Sequence, residues 1–428
     1  MAVAIKMPDE NTINALLKLL MKERPDGYGK NKKLVYCITK DDEGHLRIPV
    51  ALARQLWNIQ TPDYTQLPRY KIDDKIVLGE GGREHQIPTY TKLAETIVRD
   101  RSAYLSVYCG AGKSMMASKL ICELGMVTAV VTDSTLIFPQ WVNIFKKNTN
   151  AVVAEITSPV QILPQANIYV MMISAVGKMN PKILEHIKFL VVDEALYFMT
   201  PKRLPALLNF TPCYTLGLCA EVKRTDGLHC FLPYFFGGTV IRKISDNPFT
   251  VYRVETKFKP VVRQMRWTGR MDWNELLKSL ADNDDRNQLF IDLCLKLKDS
   301  KIIVGTKRKK QARYIHDKLK EAGESVALLI EDSKSFPQCR ILIGIFAKMG
   351  KGVDVKNLCE DWEGDVFDTA IIALDLVNPE QFVGRVFRHP NPVVYDFVDD
   401  NSTLKKHFDE ERAKWYNQRS GKIIKMIM

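Results

Sequence analysis

The string Tyr108-Cys109-Gly110-Ala111-Gly112-Lys113-Ser114 follows an apolar run and precedes the helical stretch MMASKLICEL. Binding a phosphate chain needs backbone N–H groups turned into a tight loop, which glycine allows at low steric cost. It also needs a lysine for the β- and γ-phosphates and a hydroxyl for Mg2+. Gly110, Gly112, Lys113 and Ser114 supply these groups, although Val107 stands where the pattern GxxxxGK[ST] begins with glycine. Taken alone, the string is also compatible with an ordinary strand–turn–helix carrying an exposed lysine. Further on, FLVVDEAL brings Asp193 and Glu194 to the C-terminal end of an apolar strand, where ligands gather in α/β sheets. Adjacent carboxylates there can divide the work, Asp193 toward a metal and Glu194 toward the attacking water. The alternative is a solvated pair capping a strand. Both strings fall in one lobe, and together they point to hydrolysis of ATP with Mg2+.

A third string, PEQFVGRVFRHP, holds Gln381, Arg385 and Arg388. Arginines three apart share one face of a helix. Set against a nucleotide held elsewhere, they would neutralise charge developing on the γ-phosphate, a contribution of about three to five powers of ten in rate. By itself the string also reads as a basic helix face on solvent.

The elements that must position these groups alternate short apolar strands with helical segments. Strands are expected at 127–132, 167–174, 189–195 and 215–221, and again at 301–305, 325–330, 340–346, 369–375 and 393–398. Continuous apolar runs of this length suit parallel sheets covered on both faces. The organisation expected is α/β, with a first lobe over 81–250, a connector over 251–275 and a second lobe over 276–428. Residues 1–80 differ: a helix over Asn11–Lys22, a loop with Gly27 and Gly29, a strand LVYCITK and a helix-like VALARQLW read as a small α+β accessory domain.

Composition sets limits on this reading. With 46% hydrophobic and 26% charged residues, the 428-residue chain can bury a sizeable core and is not disordered throughout. No apolar run reaches the roughly 18 residues of a membrane span, and the N-terminus lacks the basic-then-apolar order of a signal peptide. Sixty-two Lys and Arg against 50 Asp and Glu give a formal charge of +12, which favours a polyanionic partner such as nucleic acid over a merely basic surface. Nine cysteines without a CxxC pair, and histidines without HExxH, predict reduced thiols, a cytoplasmic location and no structural zinc.

Read in order, the strings resemble superfamily 2 helicases, and among them the XPB/UvsW-type DNA translocases, over about residues 81–416. Arg83-Glu84-His85-Gln86 resembles the RPYQ entry motif, which makes Gln86 the expected reader of adenine. YCGAGKS resembles the CGAGKS of that type, which also lacks the first glycine, so residues Cys109 to Ser114 are the expected phosphate cradle. TDSTLIFPQW, ending in Gln140 and Trp141, resembles the segment that grips the DNA backbone. TLGLCAEVKRTDGL resembles the coupling motif LGLSATPxRxDG, with Cys219 for Ser and Glu221 for Thr and with Arg224, Asp226 and Gly227 retained. ILIGIFAKMGKGVDV resembles ILVATYSKVGEGLDI, placing Gly352 and Asp354 near the ribose and the DNA. QFVGRVFR matches QxxGRxxR, so the resemblance makes Arg388 the finger, Arg385 a second γ-phosphate contact and Gln381 a positioning residue.

The resemblance implies two tandem RecA-like lobes, ATP and Mg2+ as cofactors, Ser114 and Asp193 holding the metal, and a monomeric motor stepping along DNA. The preferred substrates implied are branched DNA, duplex–single-strand junctions and RNA in R-loops. Contacts to nucleic acid are expected from Lys30, Lys32 and Lys33 in the N-terminal segment and from Lys307, Arg308 and Lys309 in the second lobe, each weakening as salt rises. A solvated loop on a structural cap is the alternative for the first group. Met115 and Met116 read as helix-face core, and Trp267 and Trp273 as packing rather than as a wedge against a base pair. The rival readings are a viral translocase that remodels polymerase complexes and a binding scaffold whose motor has decayed, for which Glu221 is the support.

Overall fold

The computed structural model describes residues 2–5, 8–25, 32–81, 83–224, 226–245, 247–266, 269–330, 333, 335–349, 358–364 and 366–428. They divide into two compact units, Met1–Val107 with Ala111–Lys243 and Ile244–Met428 with Tyr108–Gly110.

The N-terminal segment runs β1 (Ala2–Ile5), α1 (Glu10–Leu20), β2 (Met21–Pro25), β3 (Lys32–Tyr36), β4 (Thr39–Lys40), β5 (Leu46–Pro49) and α2 (Val50–Trp57). Asp9 starts α1 by accepting the Thr12 N–H at 2.9 Å, and Asn58 ends α2 in the left-handed region. Helix α1 was expected to continue through Lys22. It stops at Leu20 because β2 pairs antiparallel with β3, Met21 opposite Tyr36, and the ladder takes up the backbone groups a further helical turn would have used. The expected strand LVYCITK is likewise divided between β3 and β4. Strands β1, β5 and β4 form a separate antiparallel sheet. The α+β content matches expectation, yet Leu16, Leu20, Val35, Cys37, Ile48, Leu52 and Ala53 lie in one hydrophobic cluster with Val131, Leu190, Phe231 and Phe235. Arg54 adds a 3.1 Å bond from Nη1 to Ser102 Oγ. The segment is thus fused to the core of the first unit.

That unit continues through α3 (Gln86–Asp100), β6 (Ser102–Val107), α4 (Lys113–Leu124), β7 (Thr128–Thr132), α5 (Phe138–Asn148), β8 (Val153–Ile156), β9 (Ile168–Met172), α6 (Ile173–Val176), β10 (Phe189–Asp193), α7 (Leu204–Leu207), β11 (Tyr214–Cys219), α8 (Leu232–Phe236) and β12 (Val240–Lys243). The strands form a seven-stranded parallel sheet in the order β12-β6-β11-β10-β7-β9-β8. Every residue of β6, β7, β10 and β11 is buried, as unbroken apolar runs require when helices cover both faces. Met116 is buried on α4, as its helical spacing predicts.

The second unit holds β13 (Phe249–Glu255), α9 (Trp273–Ala281), α10 (Asp284–Lys296), β14 (Ile302–Thr306), α11 (Lys309–Glu321), β15 (Val326–Leu329), β16 (Ile341–Ile345), α12 (Phe346–Met349), β17 (Thr369–Ile372), β18 (Val393–Val398) and β19 (Gly421–Ile427). Its sheet is also parallel, in the order β15-β16-β14-β17-β18-β13-β19. The span expected to be a connector, 251–275, therefore begins inside this sheet, where β13 pairs with both β18 and β19. Buried ion pairs lock the unit. Arg286 holds Asp399 through bonds of 2.7 and 2.8 Å. Arg412 reaches Asp375 at 2.6 Å and Asp396 at 2.8 Å, and Tyr416 donates to Asp396 at 2.7 Å. Glu380 accepts from Trp415 at 2.7 Å and from Arg419. Among the described residues no helix is long and apolar enough to cross a membrane.

Candidate active site

The phosphate-loop string forms the turn between β6 and α4. Gly110 and Gly112 have φ of +87° and +89°, so both need the left-handed region that glycine reaches without strain. Gly112 caps α4, and a Cβ there would lie 2.1 Å from Gln86 Nε2. A side chain there would have to displace the Gln86 amide as well as adopt a backbone conformation that only glycine reaches readily. The N–H groups of the first turn of α4 and the positive end of its dipole suit an anion. Lys113 opens that turn, its Nζ donating to Val107 O at 3.2 Å, and Ser114 follows it. Gln86, at the start of α3, is buried. Its Nε2 donates to Ala111 O at 3.0 Å and its Oε1 accepts the Gly79 N–H at 3.1 Å, so its amide braces the loop.

Asp193 ends β10 and is only 5% exposed. Its Oδ2 accepts from Trp141 Nε1 at 2.8 Å and its Oδ1 from the Glu194 N–H at 3.0 Å. Burial pushes its carboxyl up to about 6; the neighbouring charge of Glu194 adds to this, while the Trp141 bond and the charge of Lys113 oppose it. Glu194 sits at φ +54°, a sparsely populated conformation for a side-chain-bearing residue. Its Oε2 accepts from Cys219 Sγ at 3.2 Å. Burial raises the Cys219 thiol well above its ordinary range, so it keeps its proton and donates. On the neighbouring strand β6, Tyr104 donates its hydroxyl to Glu221 O at 2.7 Å. Arg224 is held by Asp226 at 2.7 and 2.9 Å and donates to Leu196 O at 3.2 Å, which ties the segment after β11 to the turn that follows Glu194.

The first unit thus brings together Gln86, Ala111, Gly112, Lys113, Ser114, Asp193 and Glu194. Gln381, Arg385 and Arg388 belong to the second unit. The helix there spans only Glu380–Val383; Arg385 and Arg388 follow in turns, with the Arg385 N–H bonded to Phe382 O, and do not lie on the helix face expected. Gln381 is buried, and its Nε2 has no hydrogen-bond partner among the described residues. Lys30, Gly352 and Asp354, like Trp267, lie outside the described residues.

Of the residues expected at nucleic acid, Trp141 must be reassigned. It is 1% exposed, stacks on Phe145 and spends its indole N–H on Asp193, so it cannot touch a phosphate backbone. Its spacing with Phe138, Val142 and Phe145 on α5 is the sequence signal that marks it as core. Gln140 beside it is half-buried, and Lys33 is exposed. Lys32 is exposed and paired with Glu23 at 2.5 Å. Lys307 and Lys309 are exposed, and Arg308 donates to Asn274 O at 2.7 Å. The Trp141–Asp193 and Cys219–Glu194 bonds are the site features that motif reading missed, because both join residues distant in sequence.

Residues 81–224 match the family described as Type III restriction enzyme, res subunit. Over 413 residues the chain is 30% identical to 161L of Invertebrate iridescent virus 6, a protein named as a helicase, covering 88% of this chain and 89% of that one. The chain belongs to the superfamily 2 helicases. Protein L396 of Acanthamoeba polyphaga mimivirus, named as an ATP-dependent RNA helicase, is 22% identical over 390 residues, 85% of this chain and 73% of its own. The helicase also shares its fold with yeast Dbp5, solved bound to RNA and ADP BeF3, at a TM-score of 0.54 and 16% identity over 83% of this chain and 90% of that one. As a member of the superfamily the helicase is an ATP-dependent enzyme that binds nucleic acid, and its phosphate loop and acidic pair fit that chemistry.

Proposed function

We propose that the helicase couples ATP hydrolysis to movement along DNA and acts on branched DNA: forks, Holliday junctions and R-loops. The observation that carries the proposal is the arrangement at the C-terminal edge of the first sheet, where Lys113 opens α4 beside β6 and Asp193 and Glu194 end β10 two strands away. In this reading Lys113 and the backbone of the loop hold the β- and γ-phosphates, and Glu194 orients and deprotonates the attacking water. Ser114 and Asp193 would hold Mg2+, which when bound would offset phosphate charge; a buried carboxylate pushed up to about 6 suits a cation. Arg388 and Arg385 would meet the γ-phosphate from the second lobe, and Gln381 would position them. The formal charge of +12 and the exposed Lys33 support a nucleic-acid track that includes the N-terminal segment. Nine unbridged cysteines support work in a reducing cytoplasm.

RNA is the second reading, favoured by the printed name of L396. The test compares ATP-driven strand release from a three-way DNA fork, a linear DNA duplex and an RNA fork of equal length, with Lys113→Ala as control. Release selective for the DNA fork and absent in the control is expected. Release from the RNA fork alone would replace DNA by RNA. ATP turnover with no stimulation by either nucleic acid would overturn the proposal.

A further inference from the structure

A side chain that reads a base must turn a donor or an acceptor toward it, and both ends of the Gln86 amide are committed elsewhere. Its Nε2 donates to Ala111 O at 3.0 Å, inside the phosphate loop, and its Oε1 accepts the Gly79 N–H at 3.1 Å. The fit is close, since a Cβ at Gly112 would fall 2.1 Å from that Nε2. The turn that carries the amide adds to the hold. Gln86 N donates to Arg83 O at 2.8 Å, and His85 Nε2 lies 3.3 Å from the same Ala111 O. Gln86 is 3% exposed, so little of the amide is left for a ligand to reach.

Large apolar side chains are exposed beside this brace. Val77, two residues before Gly79, and Ile87, next after Gln86, are both more than half exposed. Ile87 lies over Gly79, where a Cβ would come within 2.8 Å of its Cδ1. Apolar carbon accepts the face of any base. A site that hydrogen-bonds a substrate group rejects the analogue lacking it by about four to five powers of ten, whereas an apolar surface separates related ligands only weakly.

We propose that the helicase hydrolyses purine and pyrimidine nucleoside triphosphates alike, because the Gln86 amide is spent on positioning the phosphate loop and does not read the base. The inference rests on the proposed function, which places a triphosphate on this loop.

The quantity to measure is kcat/KM for ATP, GTP, CTP and UTP on the full chain with Mg2+, in the presence and absence of oligothymidylate. The four values are expected to lie within about tenfold of one another, and a larger preference for ATP overturns the inference. Gln86→Ala then locates the cause. Loss of two hydrogen bonds to the loop should raise KM for all four nucleotides by a common factor of about tenfold. Competition by inorganic tripolyphosphate, which carries no base, should weaken by the same factor. A loss confined to ATP, or tripolyphosphate inhibition left unchanged, returns Gln86 to the base and overturns the inference. A fall in the thermal midpoint with every KM kept overturns it too, by marking a structural role. If the variant does not fold, the comparison of four nucleotides on the unsubstituted chain decides alone. An unsubstituted chain that hydrolyses none of the four, ATP included, fails the proposed function instead.

Discussion

In the second unit Arg286 grips Asp399 through two bonds, Arg412 spans Asp375 and Asp396, and Arg419 meets Glu380, so the buried carboxylates of that sheet sit against guanidinium groups. In the first, Asp193 accepts from an indole and an amide, and Glu194 from a thiol. Neutral donors aim a carboxylate without cancelling its charge. Burial is the largest influence on both Asp193 and Asp396 and raises both, but Asp396 has Arg412 bonded to it as its largest opposing influence. A guanidinium-matched carboxylate serves the fold, because losing either partner strands a buried charge. A carboxylate that is buried, oriented and still electrostatically unsettled is the form a reacting site needs.

The contrast can be broken in several places. The largest effect is expected from Lys113→Ala, which should lower ATP turnover by about three powers of ten in a phosphate-release assay while circular dichroism shows the fold retained. Normal turnover would return the loop to an ordinary strand–turn–helix. In the second unit Arg412→Met should cost about 3–5 kcal/mol in urea unfolding, because Asp375 and Asp396 are left buried without their guanidinium.

Asp193→Asn should move stability the other way. The folded carboxyl, pushed up to about 6 from an ordinary 3.8, holds its proton more tightly than the unfolded one, so its ionisation destabilises the fold above pH 6. The variant should then be about 1–3 kcal/mol more stable than the parent at pH 7, with turnover lost. That gap should close as pH falls through 6 and vanish below 3.8, as urea midpoints across the range would show. A variant less stable at pH 7 would place Asp193 with the structural pairs. Gly112→Ala forces a side chain into φ +89° against Gln86, and a loss of about 1–2 kcal/mol in ATP binding is expected by titration with a fluorescent nucleotide. The smallest effect belongs to Cys219. Removing its donor in Cys219→Ala should slow turnover by about fivefold with KM for ATP unchanged, and Cys219→Ser should restore it.

Much of the first lobe was legible from apolar runs, because a strand buried on both faces must be apolar throughout; β7, β10 and β11 fall within or next to the expected spans. Helix α2 coincides with VALARQLW. Legibility failed where pairing overrode local preference. Met21 and Lys22 carry a helical pattern but are held in β2 by β3, and the residues expected to open the connector are a strand because β18 and β19 flank them. Trp141 was misplaced by its neighbours in the string, although its own helical spacing pointed inward.

The sequence by itself determined the chemistry available: a lysine and hydroxyl behind two glycines, an acidic pair ending an apolar strand, and an excess of positive charge. Those depend on residue type and short spacing, which local geometry converts directly into a loop or a strand end. Only the tertiary structure decided which groups hold the acidic pair. Trp141 and Cys219 lie 52 and 25 residues from their partners, and nothing local specifies such distances. They are set by the β11-β10-β7 order of the sheet and by the packing of α5 upon it, where burial strengthens each hydrogen bond and makes a missing one costly.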